Sequence, residues 1–380
     1  MRILHLITNH QVVERTLGIY ESVFPGKNEV LVFYLWEDFN RLEKYKGYPN
    51  VNRNNVRKVA KGYDFSEITY IVAHYMRMDM IDFIRYAPSR VKVCWEIYGH
   101  DLYNQFLEPN GYPLYYSSPA DYEEHSFFKK TFPFIFKAIF ELKGDKYLFK
   151  SQINKQFKYI SNRTSVVQYC CRYDELLLEE YSNRKYESYE VFNYSLKEVL
   201  GDLVDAPFSS GQDILVGNSA SFSNNHLYIL DFLKDKIIPE GTCLIMPLSY
   251  GGSPKYVNRV ESSFRQYFPD NIKTIKDYMP IAEYNQIFKR IRIMVLSAWR
   301  QEAHGTAIMG FYMGIKVIMS SRSPLFKWFR ECGFIVFDLE SINDRFFDPL
   351  SAAECLHNRE LVLDKYKEEN FINNLQAHFI

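Results

Sequence analysis

Two turns in the second half of the chain are made of residues that could meet an anion. Gly305-Thr306 follows a polar turn, Ser297 to His304, and opens a helical pattern rich in small residues. The N–H groups at such a start lack partners within the helix and sit at the positive end of its dipole, so a phosphate is a natural guest. Gly217-Asn218-Ser219 runs directly out of the apolar stretch Ile214-Leu215-Val216 and is a second candidate cradle. Ser249-Tyr250-Gly251-Gly252 is a loop able to approach a ligand closely. In the first half, polar spots follow two apolar runs: His74-Tyr75, and Tyr98-Gly99-His100-Asp101 after Cys94-Trp95-Glu96-Ile97. Side chains of these types can take or relay a proton. Each spot also has a plainer reading, a ligand-free turn or a structural His or Asp.

Positioning these residues requires strands that end where they begin. Ile293 to Leu296, the helix opened by Gly305-Thr306, Gly314 and the run Ile315 to Met319 together read as a βαβ unit, with Gly314 ending the helix. Such units build parallel sheets that take ligands at the carboxyl ends of their strands. The same rhythm predicts strands at Ile3–Ile7, Glu29–Leu35, Ile68–Ala73, Val91–Ile97, Val166–Gln168 and Tyr189–Phe192 in a first doubly wound α/β domain. Helices are expected near Val12–Val23 and Met76–Tyr86. Leu196 to Gln212, with its Gly, Pro and Ser residues, reads as an interdomain linker. A second domain then opens at Asp213, with Ser223 as the N-cap of a helix over Asn224–Lys234. The expected organisation is residues 1–205, 206–355 and a helical tail, 356–380.

A chain of 380 residues suits two domains. Its 46 basic and 46 acidic side chains balance, which argues against nucleic acid as a partner. The six cysteines have no CxxC or metal spacing, as expected of reduced thiols in a cytoplasmic protein. No run of 18 apolar residues occurs, so no membrane-spanning helix is expected. Residues 127–160 stand out, with eight lysines, two acids and ten aromatics. Lysines beside aromatic rings suit an anionic membrane surface, at about 1 kcal/mol per lysine; a core helix with a solvated lysine face is the alternative. Walker, GxSxG, HExxH and kinase signatures are missing, as is any Asp-x-Asp for a metal–diphosphate site.

Five segments taken together resemble the TDP-N-acetylfucosamine:lipid II N-acetylfucosaminyltransferases, the 4-alpha-L-fucosyltransferases of glycosyltransferase family 56. They are His74; Trp95-x-Ile97-x-Gly99-x-Asp101-Leu102-Tyr103; Ile214 to Ser219 with Ser223-Asn224 and His226; Pro247 with Tyr250; and Arg300-Gln301-x-x-x-Gly305-Thr306 with Gly314-Ile315. The resemblance implies the GT-B fold, two Rossmann-like doubly wound domains facing across a cleft. It also implies a nucleotide-diphosphate sugar held mainly by the second domain and a lipid-linked saccharide acceptor at the first. Family members use no metal or other cofactor and work peripherally, at the cytoplasmic face of the inner membrane.

Without a metal, helix N-termini and cationic side chains must stabilise the leaving diphosphate. The donor-binding candidates are therefore Gly217, Asn218, Ser219, His226, Tyr250, Arg300, Gln301, Glu302, Gly305 and Thr306. Arg300 is the expected cation, because its fork of N–H groups matches phosphate oxygens. Glu302 departs from the family pattern, which has an amide there, and invites comparison with carboxylates that hold sugar or ribose hydroxyls. If configuration inverts, a base must deprotonate the acceptor, with Asp101 first choice, His74 second and Glu96 third. If it is retained, these residues only position the acceptor. A nucleotide-sugar epimerase on the same fold and a non-catalytic scaffold are the competing readings.

Overall fold

The six consecutive buried residues from Ile3 to Thr8 are covered on both faces, as strands of parallel sheets are. In the computed structural model, which describes residues 1–8, 11–33, 50–117, 150–192 and 195–379, they belong to β1 (Arg2–Thr8). Around it lie β2 (Asn28–Phe33), β3 (Asn50–Val51), β4 (Ile68–His74), β5 (Lys92–Glu96), β6 (Thr164–Tyr169) and β7 (Glu187–Glu190). Their order is β3-β2-β1-β4-β5-β6-β7, with parallel neighbours throughout. The helices described between them are α1 (Gln11–Val23), α2 (Val56–Gly62), α3 (Met78–Ile84), the short α4 (His100–Leu102), α5 (Lys150–Arg163) and α6 (Arg172–Ser182).

The second sheet repeats the plan. It contains β8 (Asp213–Val216), β9 (Leu244–Pro247), β10 (Ile272–Ile275), β11 (Ile291–Leu296), β12 (Lys316–Met319) and β13 (Phe337–Asp338). All pair in parallel, in the order β10-β9-β8-β11-β12-β13. Each sheet reverses its winding once, between β1 and β4 and between β8 and β11. Crevices at the carboxyl ends of such strands are where this topology takes ligands. The expected βαβ unit is β11, α11 (His304–Tyr312) and β12, and Gly314, at φ +68°, adopts the left-handed turn that stops the helix. The other helices here are α7 (Leu196–Leu200), α8 (His226–Leu233), α9 (Pro254–Tyr267), α10 (Ile281–Phe288), α12 (Pro324–Glu331) and α13 (Ala352–Lys365).

The described residues divide into two units. The first takes in residues 1–112 and 150–196, and it recovers the chain's last helix, α14 (Glu368–Phe379). The second takes in 113–117 and Lys197–Lys365. Two expectations about the joints change. The tail expected as one segment, 356–380, splits: Phe371, Leu375 and Phe379 of α14 pack on Tyr20, Phe24 and Tyr70 in the first core. The expected linker, 196–212, is partly helical and bonded to the second unit. There the Leu200 carbonyl accepts from Asn285 Nδ2 (3.0 Å) and Ser209 N–H donates to the Met313 carbonyl (2.8 Å). Of the basic, aromatic stretch 127–160, residues 127–149 lie outside the described residues. The remainder belongs to α5, with Phe157 and Ile160 buried and its lysines exposed.

A row of polar side chains, buried except at its Asn28 end, crosses β2, β1, β4 and β5 of the first sheet. Asn28 Oδ1 lies 3.0 Å from His5 Nε2, and His5 Nδ1 lies 2.9 Å from His74 Nε2. His74 Nδ1 contacts the Glu96 carboxylate, and neither side chain reaches solvent. Beside Glu96 on the neighbouring strand, Gln168 donates to the Tyr20 and Tyr189 hydroxyls. Burial, followed by the adjacent His74 charge, pushes the His5 pKa down to about 3. Removing one member of a buried polar pair leaves the other without a partner, which is costly. Glu96→Ala should therefore lower the unfolding free energy of this unit by about 3–5 kcal/mol in a urea titration. A loss below about 1 kcal/mol would show that the pair carries no such weight.

Candidate functional site

The carboxyl end of β8 turns sharply at Gly217, where φ is +69°. A Cβ there would lie 2.7 Å from His226 Nε2 and 3.2 Å from Asn224 Oδ1, so only glycine fits. His226, the first residue of α8, is fully buried, and its Nδ1 lies 3.0 Å from the Tyr256 hydroxyl. Its Nε2 faces Gly217 without a hydrogen-bond partner, and the buried Asn218 Oδ1 is likewise unpartnered. Two orphaned buried polar atoms at one turn are costly unless a ligand uses them.

Asn224 organises this loop. Its Oδ1 accepts from Asn218 N–H (3.1 Å), and its Nδ2 donates to Ser219 Oγ (3.0 Å) and Glu302 Oε1 (3.3 Å). Its carbonyl accepts from Ser297 Oγ (2.7 Å), just past β11. Gly217 N–H, for its part, donates to the Val295 carbonyl (2.9 Å). The N–H groups of Gly217 and Asn218, expected to face a diphosphate, are thus spent within the protein. Ser223 is not the expected helix cap. It lies in a 3-10 turn, Phe222–Asn224, and α8 begins two residues later, after Asn225 in the left-handed region at φ +50°.

N–H groups not yet spent on the protein occur at the start of α11. Ala303, at φ +67°, swings the chain into the helix, and the first intrahelical bond runs from Ala307 N–H to its carbonyl (2.9 Å). The Gly305 and Thr306 N–H groups precede that bond, and no side chain caps them. A Cβ on Gly305 would meet nothing within 4 Å, so the space beside this residue is open. In the preceding loop, Arg300 and Gln301 are both 8% exposed. Arg300 Nε donates to Ser223 Oγ (3.1 Å), and its Nη2 pairs with Glu302 Oε2 (3.0 Å). The Ser223 hydroxyl also donates to Glu302. Glu302 therefore joins the β8 loop to the β11 loop. The Tyr250 carbonyl accepts from Ala220 N–H (2.8 Å), while its ring is exposed.

All ten donor-binding candidates lie in the second unit, with Asn218, Ser219, Arg300 and Glu302 in one bonded network. Sequence reading missed Asn224 as its hub and Ser297 as its brace; an Asn two residues before a helix was the available signal. In the first unit, His74, Glu96 and Asp101 are all fully buried. Asp101 Oδ2 accepts from Met76 N–H (3.0 Å) and Trp95 Nε1 (2.7 Å), and Oδ1 accepts from Tyr98 N–H (3.0 Å). Burial raises its pKa to about 6 against the pull of those bonds. Asp101 thereby staples the β4 and β5 exits together. The exposed group at that edge is His100, whose Nδ1 lies 2.6 Å from the Tyr75 hydroxyl, with Tyr75 itself at φ +66°.

Residues 191–348 match the family described as 4-alpha-L-fucosyltransferase glycosyl transferase group 56, in agreement with the resemblance read from the five segments. The chain is a glycosyltransferase of the GT-B fold. Sucrose-phosphate synthase from Thermosynechococcus elongatus superimposes at a TM-score of 0.63 and 12% identity, covering 100% of this chain and 98% of that one. Anabaena HepE in complex with UDP-glucose gives 0.62 at 11% identity, covering 100% and 99%. A glycosyltransferase from Rickettsia africae gives 0.58 at 13%, covering 99% and 97%. At these identities the structures speak for the fold, and the family match speaks for the activity.

The site histidines give this glycosyltransferase a pH signature. Burial holds His226 at about 4 and, with the Lys365 charge, His304 at about 3. Both are neutral when folded and take up a proton on unfolding below about 6.5. Their contribution is therefore complete above that value and is lost as pH falls towards the folded values, by about 1.4 kcal/mol per histidine per pH unit. Urea unfolding of the second unit should show a clear loss between pH 7 and pH 5. Equal stability at the two values would contradict the buried neutral state.

Proposed function

We propose that this glycosyltransferase moves a deoxy-acetamido-hexose such as N-acetylfucosamine from a nucleoside-diphosphate donor to a polyprenyl-diphosphate-linked saccharide in surface polysaccharide assembly. The observation that carries the donor half is the uncapped start of α11, with open space beside Gly305, in the same unit as the orphaned His226 Nε2 and Asn218 Oδ1. The helix start supplies two N–H donors and a positive dipole end for developing phosphate charge. Arg300 supplies a full charge with fixed geometry, held by Ser223 and Glu302. A diphosphate leaving group carries its new charge where such preformed donors stand, which is how the site lowers the barrier.

The family match favours a fucose-type sugar, and HepE, a structural neighbour, binds UDP-glucose. The resemblance to family 56 implies an acceptor at the first unit. Its exposed Tyr75–His100 pair, at the carboxyl edge of β4 and β5, is the surface suited to a saccharide hydroxyl. In this reading Asp101 positions that edge by holding Met76, Trp95 and Tyr98. Metal independence, an inner-membrane cytoplasmic location and contact with anionic lipid through residues 127–160 belong to the same proposal. Among the described residues, no helix is long and apolar enough to cross a membrane.

A thermal-shift screen with UDP, TDP, GDP and CMP, with and without magnesium, tests the donor half. A ligand that binds only the folded protein raises its melting temperature. One diphosphate should give a shift that magnesium does not change, and Arg300→Ala should weaken its binding about ten- to a hundredfold, the usual weight of a charged hydrogen bond. Unchanged affinity in the variant would remove Arg300 from the site. Transfer of radiolabelled sugar to a polyprenyl-diphosphate disaccharide, and not to the free disaccharide, is the expected result for the acceptor half.

A further inference from the structure

Both carboxylate oxygens of Glu302 are engaged within the protein. Oε2 pairs with Arg300 Nη2 at 3.0 Å and also accepts from Ser223, while Oε1 accepts from Asn224 Nδ2 at 3.3 Å. Its side chain is 9% exposed and that of Arg300 is 10% exposed, so the pair is nearly dry. Ser223 Oγ, which accepts from Arg300 Nε, closes a ring of three side chains. In such surroundings a lone guanidinium would be an uncompensated charge, with strong affinity for any anion that reaches it.

We propose that Glu302 is a positioning residue that balances the Arg300 charge and thereby sets how tightly the site holds a nucleoside diphosphate. The proposal rests on the donor reading above and departs from the expectation that this carboxylate holds ribose or sugar hydroxyls. With Glu302 in place, Arg300 is aimed by its carboxylate and its charge is shared, so the diphosphate product can leave. Without that carboxylate the guanidinium has only the diphosphate as a counter-charge. Release then slows, and turnover falls even though binding improves.

The test is calorimetric titration of UDP and TDP into the full-length wild type, Glu302→Gln and Ser223→Ala, with steady-state kinetics on the same proteins. Glu302→Gln keeps the shape of the side chain and removes its charge. It should bind the preferred diphosphate about tenfold more tightly, as expected for relieving a competing charged contact, while kcat and KM for the donor both fall. Ser223→Ala, which keeps the charge but loosens the ring, should bind no more tightly than wild type. Folding of each variant is read from its melting temperature without ligand. Should Glu302→Gln fail to fold, Glu302→Asp takes its place; drawing the carboxylate back from Arg300 should again tighten binding. Wild-type binding with unchanged or weaker binding by the folded variant overturns the role of Glu302 alone. Weaker binding that matches wild-type binding of the 2′,3′-dideoxy nucleotide would assign Glu302 to the ribose. Failure of the wild type to bind either nucleotide overturns the donor reading and this proposal with it.

Discussion

An amide and a carboxylate, Asn224 and Glu302, join the two loops on which the candidate donor site depends. One loop leaves β8 and the other leaves β11, the two strands that flank the reversal of winding in the second sheet. Parallel topology brings those strand ends side by side but does not fix the path of either loop. Asn224 fixes the first loop through its three side-chain bonds and borrows Ser297 from the second strand to hold its own carbonyl. Glu302 fixes the second loop by holding Arg300 against Ser223. Preformed donors are worth more than donors that must be gathered on binding, because no reorganisation is required when charge develops.

The first unit keeps its polar groups differently. Its Asn28–His5–His74–Glu96 row lies under α1 and α14, sealed by Tyr20 and Phe379, with no exposed member beyond Asn28 at one end. Such a row fixes register across four strands, since a slip in any of them would orphan a buried group. Asp101 does similar work at the sheet's carboxyl edge, where it satisfies two backbone N–H groups and an indole. At that edge, among the described residues, the exposed polar pair is Tyr75 and His100.

Legibility in the sequence depended on how local each cause is. The β11–α11–β12 unit could be read because an apolar run, a polar turn and a terminating glycine lie within thirty residues. Strand β13 went unread since two residues carry no periodicity. Asp101, His74 and Glu96 were correctly placed near strand ends, but a strand-end rule locates backbone and says nothing about which side chains a distant helix will cover. Ser223 looked like a cap because it precedes a helical pattern. Only Asn225 in the left-handed region, and Arg300 from 77 residues away, give it another task. The Ser223 and Asn224 partners of Glu302 lie 79 and 78 residues away in the chain, beyond the reach of any local pattern.

The central claim is that the diphosphate sits at the start of α11 and not on the backbone of the Gly217 turn. A crystal structure of the protein with bound UDP or TDP tests it most directly. The β-phosphate oxygens should lie about 3 Å from the Gly305 and Thr306 nitrogens, with Arg300 on the same phosphate. A β-phosphate held by the Gly217–Asn218 backbone, with the α11 start facing solvent, would contradict the account.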